Sequence, residues 1–233
     1  MINPFKKDLL AHANPEKAIF LQRFFKTGKG EYAEGDVLLG ITVPNLRTVT
    51  KKYHAKLTLD DLEMLLHSKE HEFRLAALMG LVLKYEKGDE KIKKTIVDLY
   101  LANTDFINNW DLVDTSAYKI LGHWLLDKDR SVLRQLAQCN HLWNQRIAIV
   151  ATYAFIRNHQ FDDTIQLSEM LINHKHDLMH KAVGWMLREV GKRDQSLLES
   201  FLKKHHKTMP RTMLRYAIEK FSELERRRWM QRG

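Results

Sequence analysis

A chain of 233 residues, 44% hydrophobic and 29% charged, has the composition of a folded protein and is long enough for one large core or one elongated array. Its longest apolar run, the nine residues Leu75 to Leu83, is too short to span a bilayer, and the stretch Met1 to Asp8 has neither the apolar core nor the cleavage site of a signal peptide. One cysteine, Cys139, excludes an intramolecular disulfide and fits a reducing cytoplasm, while a net charge of +9 and a pI near 9.5 favour a polyanionic partner, with nucleic acid ahead of an anionic membrane.

Apolar residues recur at spacings of three and four almost everywhere, and strand-like alternation is nearly absent. The pattern predicts helices near 4–13, 15–27, 45–54, 59–67, 70–86, 89–101, 108–126, 129–138, 142–158, 161–172, 177–192, 195–206 and 210–230. Asn14-Pro15 and Met209-Pro210 read as helix starts, with proline in the first turn. The one long irregular stretch, Thr27 to Asn45, is read as a functional loop or a structural strap. Its glycines match no phosphate-cradling fingerprint, because Gly28 and Gly30 lack a following Gly-Lys-Ser/Thr.

The segment Asn108 to Leu126 is an apolar helix with a carboxylate in the wrong place. With Trp110 at about 0°, Asp114 falls near 40°, between Leu121 near 20° and Leu125 near 60°. Trp110 and Asp114 thus share a face, and Asp114 lies in the arc that should be buried. A carboxylate there needs a partner, a cap or a chemical task. Two readings stay open from the residues: an N-cap before Thr115-Ser116-Ala117, or a catalytic group.

The helical segments repeat. Phe73 to Leu78 resembles Gln145 to Val150, with looser copies at Asp114 to Lys119, His180 to Trp185 and Pro210 to Arg215. Aligning positions 74, 115, 146, 181 and 211 gives steps of 41, 31, 35 and 30, the period of stacked helix pairs. The expected fold is all-α, an α-α superhelix or solenoid of degenerate HEAT-like repeats, forming one domain over residues 1–233.

On the helix from Met179 to Arg193, Ala182, Val183, Met186, Leu187 and Val190 span an arc of about 140°. Lys181, Trp185, Arg188 and Lys192 fill an arc of about 60° nearly opposite. The second arc reads either as a phosphate-and-base contact or as a solvated basic face with Trp185 packed on a neighbouring repeat. The stretch from Lys203 to Gly233 carries ten Lys/Arg and three Glu, with Arg226, Arg227, Arg228 and Arg232 near the end. These cations complement a helix C-terminus or attract phosphate non-specifically. His174, His176 and His180 are poorly spaced for one helical face, so no metal and no cofactor are expected.

Together these residues carry a resemblance. Trp110-Asp111-Leu112-Val113-Asp114, Arg146, and Val183 to Glu189 resemble segments of the AlkD-type DNA alkylation repair glycosylases, as do Gly40 to Arg47 and Met209 to Lys220. The similarity runs from about residue 30 to 222, and the order and spacing of the pieces make it specific. It implies a HEAT-like fold and hydrolytic excision of cationic alkylated purines, such as 3-methyladenine and 7-methylguanine, from double-stranded DNA without base flipping. By resemblance, Asp114 matches the catalytic carboxylate and Trp110 and Trp185 the aromatics around the lesion nucleotide. Arg146 matches an arginine beside its phosphate. Lys181, Arg188, Lys192 and Arg215 are further expected DNA contacts. Gln145 stands where relatives often carry a second basic residue, which weakens the expected grip on the backbone. The rival class is a non-catalytic HEAT-like module that binds nucleic acid or protein. No membrane and no obligate protein partner are expected.

Overall fold

A computed structural model of the chain describes residues 1–231, so Arg232 lies outside the described residues. Those residues form helices joined by turns, with a 3-10 turn at Thr104–Phe106 and an isolated bridge between Val37 and Glu70. They divide into two compact units, Met1–Ser116 and Ala117–Gly233.

The first unit contains α1 (Ile2–Leu10), α2 (Pro15–Phe24), α3 (Val43–Tyr53), α4 (Leu59–Leu66), α5 (His71–Lys87), α6 (Glu90–Ala102) and α7 (Trp110–Ser116). Local chemistry sets several starts. The Asn14 side chain accepts the Lys17 N–H and Pro15 opens α2. Thr58 and Asp61 form a capping box on α4, and Asp89 caps α6. α5 is buried on every side from His71 to Val82, packed by α3, α4, α6 and α7. Such a helix is the core of its unit rather than an amphipathic cover.

The second unit contains a π turn at Tyr118–Gly122, then α8 (Ser131–Gln138), α9 (Leu142–Ala151), α10 (Tyr153–Arg157), α11 (Asp162–Leu171), α12 (Asp177–Gly191), α13 (Gln195–His205), α14 (Arg211–Ala217) and α15 (Glu223–Met230). Here α12 is the centre, in contact with α9, α10, α11, α13 and α14. Gly184 permits its closest approach: a Cβ there would stand 2.5 Å from the Met213 carbonyl and 2.6 Å from the Tyr216 Cβ.

The repeat anchors read from sequence fall on corresponding helices. Positions 74, 115, 146, 181 and 211 lie on α5, α7, α9, α12 and α14. Within the units these helices pack side by side, α5 against α7 and α12 against both α9 and α14.

Three expected helices are interrupted. The segment expected at 210–230 ends at Ala217 and restarts at Glu223, behind a capping box of Ser222 and Glu225. The segment expected at 108–126 leaves the α-helical ladder after Ser116, and Gly122 N–H reaches back to Ala117 O at 2.9 Å. The Thr115 and Ser116 hydroxyls donate to the Asp111 and Leu112 carbonyls at 2.6 Å, which competes with the ladder just before the wider turn. The segment expected at 142–158 breaks at Thr152, whose hydroxyl donates to Ile149 O at 2.7 Å. Hydroxyl groups do not disturb an apolar periodicity, so the pattern alone could not mark the breaks after Ser116 and at Thr152.

Replacing Gly184 with Ala should destabilise the protein by about 1–3 kcal/mol, because the new methyl meets backbone that cannot step aside. Thermal or urea unfolding checks this, and an unchanged midpoint would show that α12 and α14 can separate without cost.

Candidate active site

Asp114 is the fifth residue of α7, a full turn past the helix start. The N-cap reading is therefore wrong. Asn109 stands at that end of the helix, its carbonyl accepting the Val113 N–H at 3.1 Å and its side-chain oxygen the Trp110 N–H at 2.8 Å. Trp110 and Asp114 are one turn apart, both half-buried. Asp114 acts electrostatically on Tyr100, a fully buried phenol whose hydroxyl lies 3.1 Å from Ser116 Oγ. Burial pushes that phenol far above its ordinary value of 10, and the Asp114 charge adds to the shift.

The position of α7 is set by a group of charges that the sequence did not single out. Asp111, next to Trp110, accepts from His71 Nε2 at 2.8 Å. The opposite ring nitrogen of His71 is 3.5 Å from Asp36, too long for a hydrogen bond, and Asp36 is bound at 2.5 Å by Arg74. Arg74 also donates to the carbonyls of Ser68 and Lys69. Two carboxylates thus face an imidazolium and a guanidinium, drawn from the strap, α5 and α7. Burial alone would lower the His71 pKa; Asp111, with Asp36 behind it, outweighs burial and raises it from 6.5 to about 9.

The same residues hold an aromatic column. Phe25 lies over the His71 ring at 4.8 Å between centroids, and Trp110 stacks on Phe25 at 5.4 Å with 19° between planes. Phe24 meets the Trp110 edge at 5.8 Å. Trp110 is therefore fixed from two directions, by its backbone beside the Asp111–His71 pair and by Phe25 under its ring.

The Thr27 to Asn45 stretch is a strap. Glu72, at the start of α5, accepts three backbone N–H groups from it: Leu39 at 2.9 Å, Gly40 at 2.8 Å and Ile41 at 3.2 Å. Gly40 has a positive φ of 74°, and a Cβ there would lie 2.1 Å from the Asn14 carbonyl. Only glycine lets the strap pass so close to the start of α2.

In the second unit Arg146 is buried on α9, 4% exposed, and its Nη1 donates to the Leu178 carbonyl at 2.5 Å in the first turn of α12. Trp185 is half-buried on α12, its ring 5.9 Å from that of Tyr153. The expected cationic stripe is there, but largely paired. Lys181 binds Asp177 at 2.8 Å, Lys192 binds Glu189 at 2.6 Å, and Arg188 meets both Glu189 and Glu219. Arg215 is exposed and makes no ion pair among the described residues. Asp177 and Glu189 are local partners on the same helix, whereas Glu219 reaches Arg188 from the next repeat, a pairing that sequence position does not reveal.

The three histidines are structural. His176 Nδ1 accepts the Leu178 N–H at 3.1 Å, capping α12, and His174 Nδ1 accepts the His176 N–H at 2.9 Å. His180 Nε2 lies 2.6 Å from the His174 carbonyl. The described residues contain no cluster of His, Cys, Asp and Glu suited to a metal. Burial lowers the pKa of His174 and of His176, helped in each case by neighbouring positive charge.

The model of the DNA alkylation repair enzyme family matches residues 5–221. A solved structure described as a predicted DNA alkylation repair enzyme from Enterococcus faecalis is 17% identical, with a TM-score of 0.72 over 91% of this chain and 98% of that one. At that identity the likeness shows the fold, the α-α superhelical repeat class expected from the helix pairs. No curated protein matches by sequence.

These histidines impose opposite pH dependences. His71 binds its proton more tightly when folded, so its stabilisation is complete below about pH 6.5 and is lost as pH rises towards 9. The shift corresponds to a ceiling of about 3 kcal/mol. His174 and His176 resist protonation when folded, so they take stability away as pH falls below their unfolded value of 6.5. Urea unfolding of wild type should therefore weaken between pH 6.5 and 9, and the matching difference should vanish in His71→Gln; equal slopes in both proteins would contradict the ion-paired imidazolium.

Proposed function

The chain belongs to the DNA alkylation repair enzyme family, and on that premise we propose that it is a DNA N-glycosylase. Its substrate is duplex DNA carrying a positively charged alkylated purine such as 3-methyladenine or 7-methylguanine, and it acts by hydrolysis without flipping the base. Residues 1–233 are taken as a single repeat domain and the site of action as the cytoplasm. No helix of the described residues is long and apolar enough to cross a membrane.

The observation that carries the reading is the pairing on α7: a half-buried carboxylate one turn from an indole, on a helix held by a partly buried ion pair. A cationic purine is already a good leaving group. As its bond to C1′ breaks, the bonding electrons go to the purine, which leaves neutral, and positive charge develops on the sugar. The Asp114 carboxylate opposes that charge, orients a water towards C1′ and accepts its proton. An abasic site and free methylpurine result. The faces of Trp110 and Trp185 favour the cationic sugar and exclude bulk water. Arg146 is assigned to the lesion phosphate, with Lys181, Arg188, Lys192 and Arg215 as outer backbone contacts. The ion pairs on Lys181, Arg188 and Lys192 make their contribution salt-sensitive and smaller than that of bare cations.

Asp114→Asn should fold, bind duplex DNA and release 7-methylguanine about 100-fold more slowly or worse, because the charge opposing the developing cation is gone. Chromatography of free base from methylated duplex measures this. Release at the wild-type rate would end the assignment of Asp114. Binding by well-folded wild type without any base release above a protein-free control would favour the non-catalytic module.

A further inference from the structure

α2 buries none of its residues, yet it carries three large apolar side chains in the open: Ile19 is 62% exposed, Phe20 68% and Phe24 53%. Exposed aromatic surface of this kind marks a contact surface more often than a bare wall. One face of the helix, Lys17, Phe20, Leu21 and Phe24, forms a side of a cavity of about 580 Å³ lying wholly within the first unit. Its floor is Phe25, Leu46 and Leu75, and Trp110 lines it as well.

The charges of this cavity are unbalanced in one direction. Two carboxylates reach it, and both are engaged: Glu72 by the three strap N–H groups, Asp111 by His71. Lys17 and Arg47 also line it, both exposed and neither in an ion pair among the described residues. An aromatic cavity bordered by free cations suits a ligand with a planar apolar part joined to an anion. A nucleotide within a DNA strand has that chemistry. The shared Trp110 makes the occupant contiguous with whatever nucleotide that indole meets.

We propose that the cavity is a DNA subsite that receives one nucleotide next to the alkylated one, which itself stays in the stack; the base of that neighbour lies against Phe20 and Phe24 and its flanking phosphates on Lys17 and Arg47. The subsite rests on the DNA-binding part of the reading above, not on the glycosylase chemistry. It explains why α2 is fastened at its start, through Asn14 N–H to Leu39 O at 2.9 Å and the Glu72-bound strap, while its outer face stays unburied. The fastening supplies rigidity, and the open face supplies the contact.

The test measures binding of an unmodified duplex, and of the same duplex with one 7-methylguanine, across a salt series in the cold, with base release followed separately. Phe20→Ser, which replaces a side chain 68% exposed and should leave thermal unfolding unchanged, is expected to weaken binding about tenfold or more without changing the salt slope. Lys17→Gln with Arg47→Gln is expected to reduce the slope of log K against log salt by about 2. Wild-type affinity in the first variant, or an unchanged slope in the second, overturns the subsite. A concentration-dependent dimer in sedimentation that Phe20→Ser dissolves also overturns it, assigning the face to a second copy of the chain. If wild type binds with the expected dependences but releases no base, the glycosylase reading fails while the subsite stands.

Discussion

The charges of His71 and Arg74, both buried, and of Asp36 and Asp111, both half-buried, are the constraint on which the first unit depends. Each would be costly alone in an apolar interior, and each is tolerated because an opposite charge lies against it. The four balance to no net charge once His71 is protonated, which explains why its pKa rises despite almost complete burial. The groups come from the strap, from α5 and from α7, so the pairing fixes three segments that the chain separates widely. Trp110 then takes its place by backbone attachment to Asp111 and by stacking on Phe25, which itself lies on His71.

The second unit solves a related problem with different means. α12 carries Trp185, and its start is capped by a neutral histidine and drawn to the Arg146 guanidinium through the Leu178 carbonyl. Its middle approaches α14 at Gly184, and its outer charges are tied to Asp177, Glu189 and Glu219. A buried arginine bound to a backbone carbonyl is rigid, and rigidity is what a proposed phosphate contact requires. The cost is acid sensitivity, because a capping imidazole that gains a proton can no longer accept.

Much of the fold was legible because it is written in local periodicity. The three-and-four spacing of apolar residues locates the helices, and five short similar segments place the repeats on α5, α7, α9, α12 and α14. The 27–45 stretch announced itself by length as a loop or strap. What periodicity could not show was polar competition within a helix, as at Thr115, Ser116 and Thr152. Nor could it pair Asp36 with His71, 35 positions apart, or Asp111 with His71, 40 positions apart. Asp114 stood out because a carboxylate on an apolar arc is conspicuous, although its position within α7 excludes the capping explanation. The Lys181–Lys192 stripe shows a limit of a different kind. Its geometry was right, but its partners lie partly on a neighbouring repeat and cancel much of its charge.

The proposed chemistry requires the Asp114 carboxylate to face the sugar of an alkylated nucleotide, with the Trp110 indole beside it. A crystal structure of the Asp114→Asn protein bound to a duplex containing one 7-methylguanine tests this most directly. The side chain at position 114 should lie within about 4 Å of the lesion C1′, close enough to act on the charge that forms there, with Trp110 against the same deoxyribose. A lesion nucleotide held elsewhere on the protein, with the 114 side chain turned away from its sugar, would contradict it.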